Sequence, residues 1–302
     1  MSVGSGAGSV LVTGATGNVG RAVARYLVDQ GEPVISAVSG AVGNVVAGSE
    51  ARPFDFTDSS GWSAAFAGVD RLFLLRPPAI SDVQRYLFPL IDAALAHGVR
   101  HIVFLSLQGV QFNRATPHHA VEHYLRKGRA PFTFLRPNFF MQNLSTTYRS
   151  DIRDRGEIFV PAARARTAFV DTDDIGRVAA RIFTAPGHLG KAYTLSGEAS
   201  LNYYSVARTL TDTLNYPVHY CAPTAAEYAA RLAAQGAPSD YIDVQNMIYR
   251  VVRMNLSALP TRTIRRLTGR PATTFAEFAA REKAVWARPT TSGTWLGSAC
   301  RC

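Results

Sequence analysis

The chain has 302 residues, enough for one large domain or for a nucleotide-binding domain with a smaller lobe, and either can bury a substantial core. Hydrophobic residues at 47% against charged residues at 18% describe a soluble, enzyme-like globule and argue against disorder except at the ends. The net charge of +10 comes from 32 basic residues that are arginine except at Lys127, Lys191 and Lys283; they are scattered, with clusters no longer than "RKGR" and "RTIRR", so no nucleic-acid arm is expected.

No run of 18 apolar residues occurs, and the N-terminus lacks a basic region followed by an apolar core, so the expectation is a cytoplasmic chain with no membrane partner. Cys221, Cys300 and Cys302 have no metal-ligand spacing and fit a reducing cytosol; the last two lie in a Gly/Ser/Thr-rich stretch, residues 291–302, read as a flexible tail.

From residue 9 to about 137, short apolar runs alternate with amphipathic stretches, the rhythm of βαβ units around a parallel sheet. "SVLVTG" reads as the first strand. "NVGRAVARYLVDQG" reads as a helix, with Val19, Val23, Leu27 and Val28 at helical spacing and Gly31 as its stop. Further strands are expected at 33–38, at "ARPFDF" and at "DRLFLL", with a short helix after Asp58 or Ser59. A helix over about 82–98 ends at Gly98 and leads to "RHIVFLS"; a helix over about 117–128 leads to "FTFLR".

Beyond Pro137 the rhythm breaks into "GEIFVPA", then "AFVDTDD" with Thr172 or Asp173 as a cap for "IGRVAARIF", then a strand at "AYTLSG". After about 200 the chain is mostly helical and rich in tyrosine: Tyr203, Tyr204, Tyr216, Tyr220, Tyr228, Tyr241 and Tyr249. Most of these are expected to pack at helix interfaces with the hydroxyl exposed. The predicted architecture is an α/β Rossmann-type doubly wound parallel sheet over residues 1–155, rejoined by a strand near 192–196, with a smaller, mostly helical substrate-binding lobe over 156–290.

The strongest motif is "VTGATGNVG", residues 12–20, between a strand and a helix. A dinucleotide needs Gly14 for the tight turn, Gly17 for close backbone approach to the pyrophosphate and Gly20 for helix-to-strand packing. The helix N-terminus offers free N–H groups, and Thr16 and Asn18 can add side-chain donors.

The G-x-x-G-x-x-G spacing resembles the extended and atypical short-chain dehydrogenases. "FDFTD", "GVDRLFLL", "GVRHIVFLS", "HAVEHYL", "FTFLRPNFFMQN", "TAFVDTDDIGRVAA" and "LTGRPATTFAEFA" follow in the order seen in NmrA-like NAD(P)-binding proteins, over roughly residues 9–286. That family includes quinone reductases, triphenylmethane dye reductases and relatives of isoflavone reductase, besides redox-sensing regulators without known catalysis. The resemblance implies NAD or NADP as cofactor, with Val19, Asp55, Phe56 and Leu75 completing the cofactor contacts beside the glycine turn.

The Tyr-x-x-x-Lys dyad of ordinary short-chain dehydrogenases is absent; "YLRK" places Tyr124 and Lys127 only three apart. The helix "PHHAVEHYL" instead matches the family's His-x-x-x-Glu-x-x-Leu pattern through His118, Glu122 and Leu125. A spacing of four puts His118 and Glu122 on one face, so the carboxylate can orient or charge an imidazole that donates a proton or hydrogen-bonds the substrate; the alternative is a helix-start feature in which Glu122 holds a loop. Ser106, where short-chain dehydrogenases keep a serine, is a weaker catalytic candidate that can equally cap the strand, and Gln108 follows it as a substrate contact.

Arg76, after the fourth strand, can reach cofactor phosphate or an acidic substrate, or simply face solvent. In "RPNFFMQN" the resemblance places Pro137, Asn138 and Phe139 beside the nicotinamide. Phe140 and Gln142 are expected to line an apolar pocket for a flat substrate, although the aromatic residues there can equally be core.

At the end of the second strand, where an acid would bind ribose hydroxyls or an arginine the 2′-phosphate, Ser39 stands, followed by Gly40. Little selectivity between NAD and NADP is expected, unless Arg52 or another remote arginine folds over the site.

There is no metal-ligand cluster and no G-x-S-x-G elbow. What the residues favour is hydride transfer from a nicotinamide to a quinone, dye or polyketide-like conjugated carbonyl by a monomer or homodimer. A catalytically silent NAD(P)-binding regulator and a non-redox tailoring enzyme remain as alternatives.

Overall fold

The computed structural model describes residues 8–40 and 45–288. Cys300, Cys302 and the Gly/Ser/Thr-rich tail read over 291–302 lie outside the described residues. The chain divides into two units. The first runs to Pro137 and takes back Thr172–Leu195 and Thr263–Arg270; the second holds Asn138–Asp171, Ser196–Arg262 and the residues from Pro271 onward.

The first unit is built on seven strands: β1 (Ser9–Val12), β2 (Val34–Val38), β3 (Glu50–Pro53), β4 (Val69–Leu75), β5 (His101–Leu105), β6 (Phe132–Pro137) and β7 (Lys191–Leu195). They lie in the order β3-β2-β1-β4-β5-β6-β7 and every pairing is parallel. This is the doubly wound Rossmann arrangement. A parallel sheet is covered on both faces, which is why β1, β2 and β4 read as nearly unbroken apolar runs and are buried along most of their length.

Strand β3 stops at Pro53, earlier than "ARPFDF" suggests. Proline has no N–H for a ladder and is tolerated here because β3 is the edge strand.

Helices α1 (Asn18–Asp29), α2 (Trp62–Ala65), α3 (Val83–Ala96) and α4 (Pro117–Lys127) connect the strands. Asp82 caps α3 by accepting from Arg85 N at 3.0 Å, and Thr116 caps α4 by accepting from His119 N at 3.2 Å, with Pro117 in the first turn where its missing N–H costs nothing.

The boundary at 155 needs correction: the sheet unit ends at Pro137, and the helix Thr172–Thr184 (α5), expected in the lobe, belongs to the sheet unit. Gly176 permits this, since a Cβ there would come within 2.6 Å of the Ala22 backbone, so α5 packs hard against α1; Arg25 pairs with Asp173 at 2.8 Å alongside.

The second unit has its own core, which includes Met141, Leu144, Tyr203, Tyr249, Phe278 and Trp286. Its helices at Ala225–Ala234 and Phe275–Glu282 begin with reciprocal capping boxes, Thr224 with Glu227 and Thr274 with Glu277. The expectation of exposed tyrosine hydroxyls is corrected for Tyr203, Tyr220, Tyr228 and Tyr249, which are buried. Tyr220 Oη, for example, donates to the Val160 carbonyl at 2.9 Å.

Candidate active site

The strand order reverses between β1 and β4, so the carboxyl ends of these two strands flank a crevice of the kind that holds ligands in open α/β sheets. Thr13 ties the two ends together: its Oγ1 donates to the Phe73 carbonyl at 2.9 Å and accepts from Leu75 N at 3.0 Å.

The glycine turn starts here, and its three glycines have three distinct reasons. Gly14 has φ +62°, and a Cβ on it would sit 2.4 Å from Leu75 Cδ2. Gly20 lies against the turn, where a Cβ would be 2.2 Å from the Gly14 carbonyl oxygen. Gly17 differs from both: it is exposed, its backbone is extended, and a Cβ would meet only the Gly14 oxygen at 3.5 Å.

Gly17 is also the N-cap of α1, which has no side-chain cap and no acid in its first turn. First-turn N–H groups have no acceptor within the helix, so they and the helix dipole present positive potential above Gly17. Thr16 and Asn18 are exposed beside it, while the Val19 side chain is buried. The open space at Gly17 and the uncapped N–H groups fit a pyrophosphate, so this turn is where a dinucleotide would be held.

Ser39 is exposed just past β2 and precedes Gly40 at φ +95°. Arg52 is not available to fold over it. Its Nε and Nη2 bind Glu50 Oε1 at 2.9 and 2.7 Å, and its Nη1 donates to the carbonyls of Ala65 and Ala67 at 3.0 and 2.8 Å.

Asp55 closes a turn by accepting from Thr57 Oγ1 and N, both at 2.7 Å, bonds that hold its carboxyl below the usual range. Phe56 is half-buried, edge-on to Phe54 at 4.9 Å. With Ser39 flanked by neither charge, the expected preference between NADPH and NADH is below about a hundredfold, equivalent to about 2.7 kcal/mol. Ser39→Arg should shift it toward NADPH by ~1.5–3 kcal/mol, the size of one charge-assisted hydrogen bond, as dinucleotide titrations of both proteins will read.

At the ends of β5 and β6 the expected constellation is rearranged. Glu122 does not serve His118. One carboxylate oxygen, Oε1, accepts from Ser106 Oγ at 2.7 Å and Arg136 Nε at 2.8 Å; the other, Oε2, accepts from Arg136 Nη2 at 2.5 Å and lies 3.6 Å from Arg126 Nη2. Glu122 and Ser106 are both buried. Ser106 therefore directs its hydroxyl hydrogen into this network and not toward a substrate carbonyl, and both residues act as structural ties between α4, β5 and β6.

His118 sits in the first turn of α4 with its ring 6.1 Å from Phe104. Burial, reinforced by the charge of Arg76, pulls its pKa down to about 4, so the imidazole is neutral in the physiological range.

Arg76 is also corrected, because its Nη1 is engaged within its own loop by the carbonyls of Pro77, Pro78 and Ile80 at 3.0, 3.2 and 2.6 Å. Its Nε is buried with no hydrogen-bond partner, and so is Gln108 Oε1 beside β5; the Gln108 N–H donates to the Pro137 carbonyl at 3.0 Å. Phe112, which sequence reasoning passed over, stands 86% exposed on the loop between Gln108 and His118. A 3₁₀ turn, Val110–Phe112, presents it while Val110 is fully buried.

In the second unit, Asn138 and Gln142 are engaged internally. Asn138 Nδ2 donates to the Ser257 carbonyl at 2.8 Å while its Oδ1 accepts from Phe139 N at 2.7 Å. Gln142 Nε2 donates to Asp171 Oδ1 at 2.6 Å, and Asp171 is paired with Arg281 at 2.8 Å. The amide groups expected to touch cofactor and substrate thus hold the unit's own segments together. Phe139 and Phe140 are half-buried, and Pro137 is buried at the end of β6. Among the described residues no group of histidines, cysteines and acids could hold a metal, and no helix is long and apolar enough to cross a membrane.

A glycine turn opened at Gly17 under a bare helix N-terminus, at the switch point of a seven-stranded parallel sheet, defines a dinucleotide-binding α/β protein. The chain belongs to the NmrA-like family, which it matches over residues 7–243.

Among curated proteins it is 32% identical to an NAD(P)H azoreductase of Xenophilus azovorans, covering 89% of this chain and 96% of that one. It is also 32% identical to the (4-alkanoyl-5-oxo-2,5-dihydrofuran-3-yl)methyl phosphate reductase of Streptomyces griseus, covering 92% and 99%. Among solved structures it is similar to the NADPH-dependent quinone oxidoreductase of Escherichia coli complexed with NADPH, at 25% identity and a TM-score of 0.79, covering 90% of this chain and 99% of that one.

Proposed function

We propose that this chain, an NAD(P)H-dependent oxidoreductase, reduces a quinone, an azo dye or a conjugated carbonyl by hydride transfer. The observation that carries the reading is the exposed Gly17 under the uncapped first turn of α1. Support for the acceptor class comes from relatives named for azo, quinone and unsaturated-lactone substrates, all of them electron-poor conjugated systems.

When bound, the dihydronicotinamide supplies the hydride. The N–H groups of Asn18 and Val19 would hold the pyrophosphate, helped by the side chains of Thr16 and Asn18. His118, neutral, donates one ring N–H to the acceptor oxygen as negative charge builds there. Gln108 Oε1, an acceptor without a partner, receives a donor from the reduced product, and Phe112 offers its face to a flat ring. Such an acceptor delocalises the incoming charge, so positioning matters more than a strong acid, and the final proton comes from water. No Tyr-Lys dyad is required.

His118→Phe should leave NADPH affinity unchanged and lower kcat/KM about 10–100-fold, the loss of one transition-state hydrogen bond of about 1.4–2.7 kcal/mol. The pH profile gives a second reading. Because folded His118 titrates at about 4, below the ordinary 6.5, its contribution to kcat should be flat from pH 5.5 to 8. The unfolded chain binds that proton more readily, so stability should fall as pH drops from 6.5 toward 4; His101, brought to about 4 mainly by burial, acts in the same direction. An inflection in kcat near 6.5 that vanishes in His118→Phe would show a protonated general acid instead.

A further inference from the structure

The second unit has an open cavity of about 270 Å³ that shares no lining residue with the glycine turn, the α4 helix or the Gln108 strand end. Four aromatic side chains, Tyr148, Phe159, Tyr228 and Tyr241, line it together with the polar Asp151, Arg231 and Gln235. Arg231 fixes one wall: its guanidinium lies 3.4 Å from the Phe159 ring centroid and pairs with Glu157 at 2.5 Å, so cation and ring hold each other in place.

Behind the cavity lies a pair of bonded phenols. Tyr148 Oη and Tyr249 Oη are 2.5 Å apart, with either able to donate, and the Tyr228 ring stands edge-on to Tyr249 at 5.5 Å. Burial raises the pKa of both members of the pair, so each keeps its hydrogen. Two hydroxyl hydrogens serve this one bond. Tyr148, which lines the cavity beside Tyr228, can therefore give a hydrogen bond into it or accept one, according to which way the pair donates.

We propose that this cavity is a binding site for a flat oxygenated aromatic, a hydroxylated or quinonoid two-ring compound, held between the aromatic walls with its carbonyl or hydroxyl on the Tyr148 hydroxyl. The size limits the ligand to about two rings, since pockets for drug-sized molecules are ~300–1,000 Å³. A phenol pair that can donate either way accommodates both the carbonyl and the hydroxyl form of such a ring, so oxidised and reduced compounds bind alike.

The test needs no turnover and so stands apart from the reductase reading. Calorimetric titration of dinucleotide-free protein with 2-hydroxy-1,4-naphthoquinone should show binding. Gln235→Trp, at an exposed mouth position that leaves the core intact, should weaken it tenfold or more. Tyr148→Phe should weaken it at least threefold, and His118→Phe should leave it unchanged, with circular dichroism confirming the fold of each variant. No binding to the parent protein, or binding indifferent to Gln235→Trp and Tyr148→Phe, overturns the proposal. Loss in His118→Phe alone overturns it too, by placing the compound at the α4 site.

Discussion

A Gly17→Asp variant is expected to fold at least as stably as the parent and to bind NADPH about a hundredfold or more weakly. The two effects have opposite signs because one feature produces both. Gly17 is exposed, its φ of −90° and ψ of 175° suit any residue, and an added Cβ meets nothing closer than 3.5 Å. An aspartate there would cap α1, accepting from first-turn N–H groups and opposing the dipole, which stabilises by about 0.3–1 kcal/mol. That carboxylate would occupy the N–H groups assigned to the pyrophosphate and repel it. Losing one or two charge-assisted hydrogen bonds at ~1.5–3 kcal/mol each gives the hundredfold change.

Gly20→Ala makes the contrast. Its Cβ would lie 2.2 Å from the Gly14 oxygen, so stability and binding should fall together. Thermal melts beside dinucleotide titrations separate the cases, and normal NADPH affinity in Gly17→Asp would remove the turn as the phosphate site.

The second large effect is expected at Glu122. In Glu122→Ala, Arg136, whose side chain is only 12% exposed, loses its bidentate partner and stays charged. Removing one partner of a buried ion pair costs about 3–5 kcal/mol, so a marked fall in Tm should follow. Ser106→Ala removes one of several donors to a carboxylate that keeps Arg136, and should cost only about 1 kcal/mol with kcat changed less than threefold. A Ser106→Ala enzyme of full stability with kcat reduced a hundredfold would restore Ser106 to catalysis. Denaturant melts and steady-state kinetics on the same preparations distinguish the outcomes.

These two sites differ in how far the sequence foretells them. The roles of Gly17 and Gly20 are legible because the geometry is local: strand, turn and first helical turn lie within twelve residues, Ser9–Gly20, and both glycines face the Gly14 carbonyl, whereas the Leu75 side chain that crowds Gly14 comes from a distant strand. The sheet is legible for a related reason, since strands buried on both faces leave continuous apolar runs at regular intervals.

The Glu122 network is not local. A spacing of four suggests His118 as the partner, yet Leu105 is registered against Leu135, which sets Ser106 and Arg136 side by side at the ends of neighbouring strands. A bidentate guanidinium then takes the carboxylate, while the imidazole is left near Arg76 and kept neutral. Nothing in the spacing of residues 118 to 122 carries that register.

The unit boundary fails for the same reason. "TDDIGRVAARIFT" announces an amphipathic helix, but only Gly176 packed on Ala22 shows which unit it covers. Asn138 and Gln142 look like ligand contacts in the chain, and become internal ties once Ser257 and Asp171 are seen beside them.

The most direct test of the central claim is NADPH oxidation at 340 nm by the purified chain under anaerobic conditions, with 2-methyl-1,4-naphthoquinone and an azo dye as acceptors. The account predicts acceptor-dependent oxidation, one NADPH per two-electron reduction, with kcat/KM for NADPH lowered about a hundredfold or more in Gly17→Asp and kcat/KM for the acceptor lowered about 10–100-fold in His118→Phe, one lost hydrogen bond to the acceptor. Protein that binds NADPH stoichiometrically yet oxidises it with no conjugated acceptor would contradict it.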